Sequence, residues 1–376
     1  MGQYIAASIL SHCLDGWNFL SRGIDAFLNG DIATSIHLTY YSELRAVMSI
    51  MASEGVGVFN KRHIFFDSAN NPLTFNSATH PVANDLLLEW GSLTTNKDIV
   101  FSCIQVNSRT LGEWINSSGH STSSAYASSV IKDWFKTWSI DLRLTADRNL
   151  RNEMSYRPHF DYPKVAIEEN IKKLISIWQG LEPTTANRFV EIDKHLLRIA
   201  IEQLYKITTG RKTTHPSYIR FIDNIFDTLG ESKTQPLYLF ILRTTSPNNH
   251  VLIIEADKDL KNNNLNRVNP FSMICRSILL LRFATSIANI TMRDSSVGFN
   301  LLRFWWEDIA LKFGMIESIP SGIETTELYS DISESISGLQ SGLYSISTLK
   351  SVNSSALGDL STLKQFQRTC FWGLGL

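Results

Sequence analysis

Two segments carry side chains whose types and spacing suit work on phosphate groups. The first is Asp147-Arg148-Asn149-Leu150-Arg151-Asn152-Glu153-Met154-Ser155-Tyr156-Arg157-Pro158-His159. At helical spacing Arg151 shares a face with Ser155, and Asn152 with Tyr156. Arg143, Arg148, Arg151 and Arg157 stand there against only Asp147 and Glu153. With Trp134, Trp138 and Tyr156 nearby, such arginines suit phosphate holding and the aromatic rings suit base stacking. The plainer alternative is that Arg151 pairs with Glu43, Asp147 or Glu153 and that the tryptophans are core residues. The second segment holds His37, Tyr41 and Arg45, spaced by four and therefore on one helix face. Tyr41 and Arg45 are expected to join the Arg151 patch.

These residues need helices to position them, and the chain predicts helices for most of its length. Apolar residues recur at helical spacing over residues 5–28, with Gly16 and Gly23 as possible breaks, and over 32–52 behind a capping Asp31 or Thr34. A short β-branched and aromatic stretch, 58–67, before the turn signal Asn70-Asn71-Pro72 predicts a small strand or hairpin. Further helices are expected at 81–93, 98–106, 125–138, 141–156, 163–178, 188–208 and 216–229. Residues 235–255 fit two strands or a helix and a loop. The last third reads as helices at 270–292, 299–313, 326–339 and 357–371, with Ser-rich 341–355 as a surface loop. A boundary is expected at 180–187, dividing residues 1–182 from 183–376. The fold class is thus mainly α, a helical bundle followed by a second helical domain with a small β element.

The run Thr39-Tyr40-Tyr41-Ser42-Glu43-Leu44-Arg45-Ala46, together with Arg151-Asn152 and Tyr156 later, resembles the HEPN superfamily (higher eukaryotes and prokaryotes nucleotide-binding). The resemblance covers roughly residues 1–180. It implies an up-and-down helical bundle that carries a Tyr-Tyr helix early and an arginine helix late. It also implies a place in bacterial conflict systems, as a toxin of a toxin–antitoxin pair or an antiviral defence component acting on RNA. In catalytic members an arginine and a histidine with four to six residues between them cleave RNA without a metal, usually across a homodimer. Here Tyr156 stands where that histidine would, and the nearest histidine is His159. On this resemblance Arg151 would hold the phosphate, Asn152 would orient it, and His159 or Tyr156 would move protons, with Arg143, Arg148, Arg157, Tyr41 and Arg45 binding RNA. Tyrosine, with a pKa of about 10, is a poor base at neutral pH. The alternative is a non-catalytic scaffold or regulatory subunit that binds a protein partner or a nucleotide.

The remaining observations bound these readings. The 376 residues hold 35 Lys and Arg against 36 Asp and Glu, so no overall charge favours nucleic acid, although local patches survive a neutral total. Cys13, Cys103, Cys275 and Cys370 are too far apart for a C-x-x-C motif. They are expected to be buried thiols in a reducing, cytoplasmic compartment. No leader or myristoylation pattern is expected at the start, and no cofactor or metal is implied. The apolar run 273–290 carries Arg276 and Arg282, so it is expected to be a buried helix and not a membrane span. Those arginines, with Arg293 and Arg303, are expected to pair with Glu307, Asp308 or the acidic stretch from Glu317 to Glu334. That stretch is otherwise a docking face.

Overall fold

A computed structural model describes residues 1–67, 69–93, 97–119, 123–138, 167–184, 188–258, 270–295, 302–316, 325–342 and 357–375. The chain is mainly helical, with a small β element. In order, α1 (Gly2–Leu28) and α2 (Ile32–Ser53) precede a hairpin of β1 (Arg62–Phe66) and β2 (Pro72–Asn76). Next come α3 (Thr79–Ser92), α4 (Lys97–Cys103), β3 (Gln105–Val106), β4 (Arg109–Thr110), α5 (Leu111–Asn116) and α6 (Ser123–Trp138). Then follow α7 (Ile167–Gly180), α8 (Val190–Thr209), α9 (Ser217–Leu229), α10 (Pro236–Ile241), α11 (Val251–Ala256) and α12 (Pro270–Asp294). The last elements are α13 (Arg303–Lys312), a 3₁₀ turn (Thr325–Tyr329), α14 (Ser330–Gly342), α15 (Leu357–Leu363) and α16 (Arg368–Leu374).

The long hairpin of α1 and α2 organises the first part of the chain. The Asp31 side chain accepts a hydrogen bond from Thr34 N at 3.0 Å and so starts α2. Gly16 and Gly23 do not break α1; both are buried within it. A Cβ at Gly16 would lie 2.6 Å from Leu281 Cδ2 and 3.2 Å from Ser42 O, and one at Gly23 would lie 2.8 Å from Thr39 Oγ1. Seven residues apart, these glycines let α1 sit close on α2 and α12. Gly16→Ala and Gly23→Ala are therefore expected to destabilise the protein by about 1–3 kcal/mol each through overpacking. At an open helical site the same change gains about 1 kcal/mol. Equilibrium urea unfolding measures the sign, and a stabilised variant would contradict this packing.

Helix α12 lies against α1, α2, α11 and α16. Trp17 Nε1 donates to Thr285 Oγ1 at 2.8 Å, and the Ser42 and Ser277 hydroxyls lie 2.7 Å apart. Of the described helices, α12 alone is long and apolar enough to cross a membrane, and 94% of its most apolar stretch is buried in protein. It is a core helix, as its two internal arginines required.

The partner of Arg282 differs from the expected one. Its Nη2 donates to Asp193 Oδ1 on α8 and to Cys103 O, each at 2.6 Å. Arg282 is fully buried, so its partner must be buried beside it, and Asp193 is. The acidic Asp331 instead accepts from Arg368 at 2.6 Å, while Arg303 and Glu307 pair within α13 as expected.

Other expectations also shift locally. Residues 98–106 do not form one helix. Asn107 and Ser108, both at positive φ (52° and 59°), turn the chain between β3 and β4, the backbone of a two-residue hairpin turn. A capping box of Thr110 and Glu113 then starts α5, which the apolar periodicity does not reveal. Residues 235–255 adopt the helical alternative as α10 and α11. Residues 357–371 divide into α15 and α16, and between them Phe366 stacks on Trp178 with centroids 4.2 Å apart. All four cysteines are buried free thiols. The expected helix at 141–156 lies outside the described residues.

Candidate anion-binding cleft

A cleft of about 430 Å³ opens between α1, α2, residues 59–60 and the first turn of α3. Helix α1 contributes Tyr4, Ser8 and His12, one stripe at spacing four. Helix α2 contributes Tyr41 and Arg45, also four apart, and α3 contributes Thr79 and His80. The face anticipated on α2 therefore exists. His37 joins it through a ring contact to Tyr41, with centroids 5.0 Å apart. Phe19 also stacks on Tyr41, with centroids 5.6 Å apart.

Arg45 is the cleft's fixed positive charge. Its Nη1 donates to His12 Nδ1 at 2.9 Å, and its Nε stands 3.7 Å from Asp15 Oδ2. A guanidinium only donates, so His12 Nδ1 must be unprotonated and its ring proton must sit on Nε2. The energetics agree with that assignment. Burial and then the Arg45 charge push the His12 pKa down to about 4, so the ring is neutral at physiological pH. Asp15 is shifted the opposite way, raised by burial against the pull of Arg45.

His80 sits opposite, in the first turn of α3. A 2.6 Å hydrogen bond joins its Nδ1 to Tyr40 Oη. Ala78 precedes α3 and makes no side-chain cap, and Thr79 and His80 of the first turn line the cleft, so the positive dipole end of α3 lies at its edge. Thr79 Oγ1 donates to Phe59 O at 2.9 Å and ties residues 59–60 to α3.

This arrangement suits one anionic group. It offers a guanidinium, a neutral imidazole N–H and a helix N-terminus. His12 is not a ready proton acceptor, because its Nδ1 already accepts from Arg45 and its pKa is far below neutrality. Among the described residues no group of three His, Cys, Asp or Glu side chains is placed to hold a metal ion.

Of the residues singled out in the sequence, Tyr41 and Arg45 come together here. Arg143, Arg148, Arg151, Asn152, Tyr156, Arg157 and His159 lie outside the described residues. The two histidines of the cleft, His12 and His80, were not foreseen. The signal for His12 in the sequence is its place in the line Tyr4-Ser8-His12 at spacing four. No family model, curated protein or solved structure matches the chain.

Proposed function

We propose that this chain is a HEPN-like component of a bacterial conflict or anti-phage defence system that acts on RNA, and that the α1–α2 cleft holds an RNA phosphate. The observation that carries the reading is Arg45, turned into a cleft beside a neutral histidine N–H and a helix N-terminus. Tyr40 and Tyr41, on which the resemblance rests, lie at the same place: Tyr41 lines the cleft and Tyr40 bonds the cleft residue His80. In its catalytic form, a metal-free endoribonuclease working as a homodimer, Arg151 and Asn152 would bind the reacting phosphate, and His159 or Tyr156 would transfer protons.

A second reading is favoured by a specific observation. The Nδ1 of His12 is engaged by Arg45, so this histidine binds more readily than it transfers protons. On that reading the protein is a non-catalytic subunit holding RNA or a nucleotide within a larger complex.

One experiment tests both. Full-length protein is titrated with labelled RNA and assayed for cleavage with EDTA present, wild type beside Arg45→Ala and Arg151→Ala. Loss of a charge-assisted contact predicts that Arg45→Ala weakens RNA binding about 10- to 100-fold. Cleavage lost in Arg151→Ala with binding retained supports the ribonuclease, whereas binding without cleavage supports the subunit. Unchanged affinity in Arg45→Ala removes the cleft from both.

A further inference from the structure

The mouth of the cleft differs in chemistry from its floor. Tyr4, in the first turn of α1, is 68% exposed. Its ring lies 5.3 Å from that of Phe59 at an interplanar angle of 56°, and both line the opening. Exposed Asn60 follows, and the chain then turns through Lys61, at φ 64°, into Arg62. Lys61 and Arg62 are exposed, and among the described residues neither joins an ion pair. The sequence of features from floor to rim is therefore an arginine, an aromatic pair, a side-chain amide and two solvent-facing cations.

We propose that Tyr4, Phe59 and Asn60 form a nucleobase subsite, so that the cleft takes single-stranded RNA by one base and its neighbouring phosphate together. The proposal rests on the reading that Arg45 holds a phosphate. An exposed tyrosine braced by a second ring offers a stacking surface to any base, because every base has a π face. The Asn60 amide has both a donor and an acceptor for a base edge. Lys61 and Arg62 extend the positive surface beyond a single nucleotide, which favours a strand over a mononucleotide. A duplex keeps its bases stacked on one another, so Tyr4 has nothing to receive from it.

The test uses the full chain and fluorescence anisotropy with three labelled ligands. They are a short single-stranded RNA, the same strand annealed to its complement, and an abasic ribose-phosphate strand of equal length. A free mononucleotide added as competitor separates the two sources of a nucleoside phosphate. The single strand is expected to bind tightest and to resist the mononucleotide. Tyr4→Ala is expected to weaken it about 5- to 100-fold, Tyr4→Phe to preserve it, and neither to change the abasic strand. Tyr4 is exposed, so an unchanged unfolding midpoint shows that its loss is not structural. If Arg45→Ala weakens RNA binding and Tyr4→Ala does not, the base subsite falls alone. Duplex or abasic strand bound as tightly as the single strand also overturns it. If Arg45→Ala has no effect either, the phosphate reading falls with it.

Discussion

Arg282→Leu is expected to destabilise the protein by about 3–5 kcal/mol, because it strands a buried carboxylate. Asp193 accepts from Arg282 through Oδ1 and from Gln105 N through Oδ2, and it is almost completely enclosed. Burial pushes its pKa up to about 6, while the Arg282 charge and the hydrogen bonds hold it back from rising further. The sign of the pH dependence follows. A carboxyl whose pKa is higher in the folded state binds its proton more tightly there, so its stabilising contribution is present at low pH. That contribution is lost as pH climbs from the unfolded value of 3.8 through about 6. Removing Arg282 raises the folded pKa again. The deficit of Arg282→Leu should therefore be smallest in mild acid, where Asp193 is neutral, and largest above neutrality. Urea unfolding of wild type and variant on both sides of that range reads it directly. A double variant, Arg282→Leu with Asp193→Leu, should lose less than Arg282→Leu alone, because no charge is left buried. A deficit independent of pH would mean that the carboxylate is not the source of the cost.

The same pair shows what could and could not be read from the residues alone. Two arginines inside the apolar run of α12 required buried partners, and Arg282 has one in Asp193. The partner's identity was not legible, because Asp193 lies 89 positions away on α8 and nothing local marks it. Elements set by short-range pattern were visible: the helices α1 and α2, the strand β1 with the Asn-Asn-Pro turn after it, and α12 itself, whereas the second strand, β2, was not. The division of 98–116 into a helix, a two-residue hairpin and a second helix was not. It depends on two consecutive residues at positive φ and on a capping box that carries little apolar periodicity. The site was half legible for the same reason. Tyr41 and Arg45 are one turn apart on one helix, whereas His12 and His80 reach the cleft only through tertiary packing. The glycines of α1 illustrate the converse. Helix propensity reads them as weak points, yet packing against α2 and α12 makes them necessary.

Arg198→Met should cost a similar amount, about 3–5 kcal/mol, and the loss should be local first. Arg198 is fully buried on α8, stacked 4.2 Å from the centre of the Phe240 ring. Its Nη1 donates to Phe240 O at 3.0 Å and Ser246 O at 2.6 Å. Its Nη2 donates to Asn248 O at 2.6 Å, Asn249 Oδ1 at 3.1 Å and His195 Nδ1 at 3.1 Å. One guanidinium thus collects a carbonyl from the end of α10 and two from the segment between α10 and α11, which has no helix or strand to satisfy them. Arg243 ties the same segment from outside, through Glu202 and Pro247 O. Arg198→Lys should rescue little, since an ammonium cannot reproduce the planar fork. Hydrogen exchange should show amides of residues 242–252 losing protection in Arg198→Met while those of α1 and α2 keep theirs. Uniform loss across the chain would contradict a local clamp. Acid adds a second signature. His195 accepts from Arg198 only when neutral, and burial followed by the charge of Arg198 lowers its pKa from 6.5 to about 3. The unfolded chain takes up that proton from about pH 6.5 downward and the folded chain does not, so falling pH erodes the clamp across that interval. In Arg198→Met the chief charge opposing His195 protonation is gone, so the acid sensitivity of this segment should shrink even as its stability at neutral pH falls.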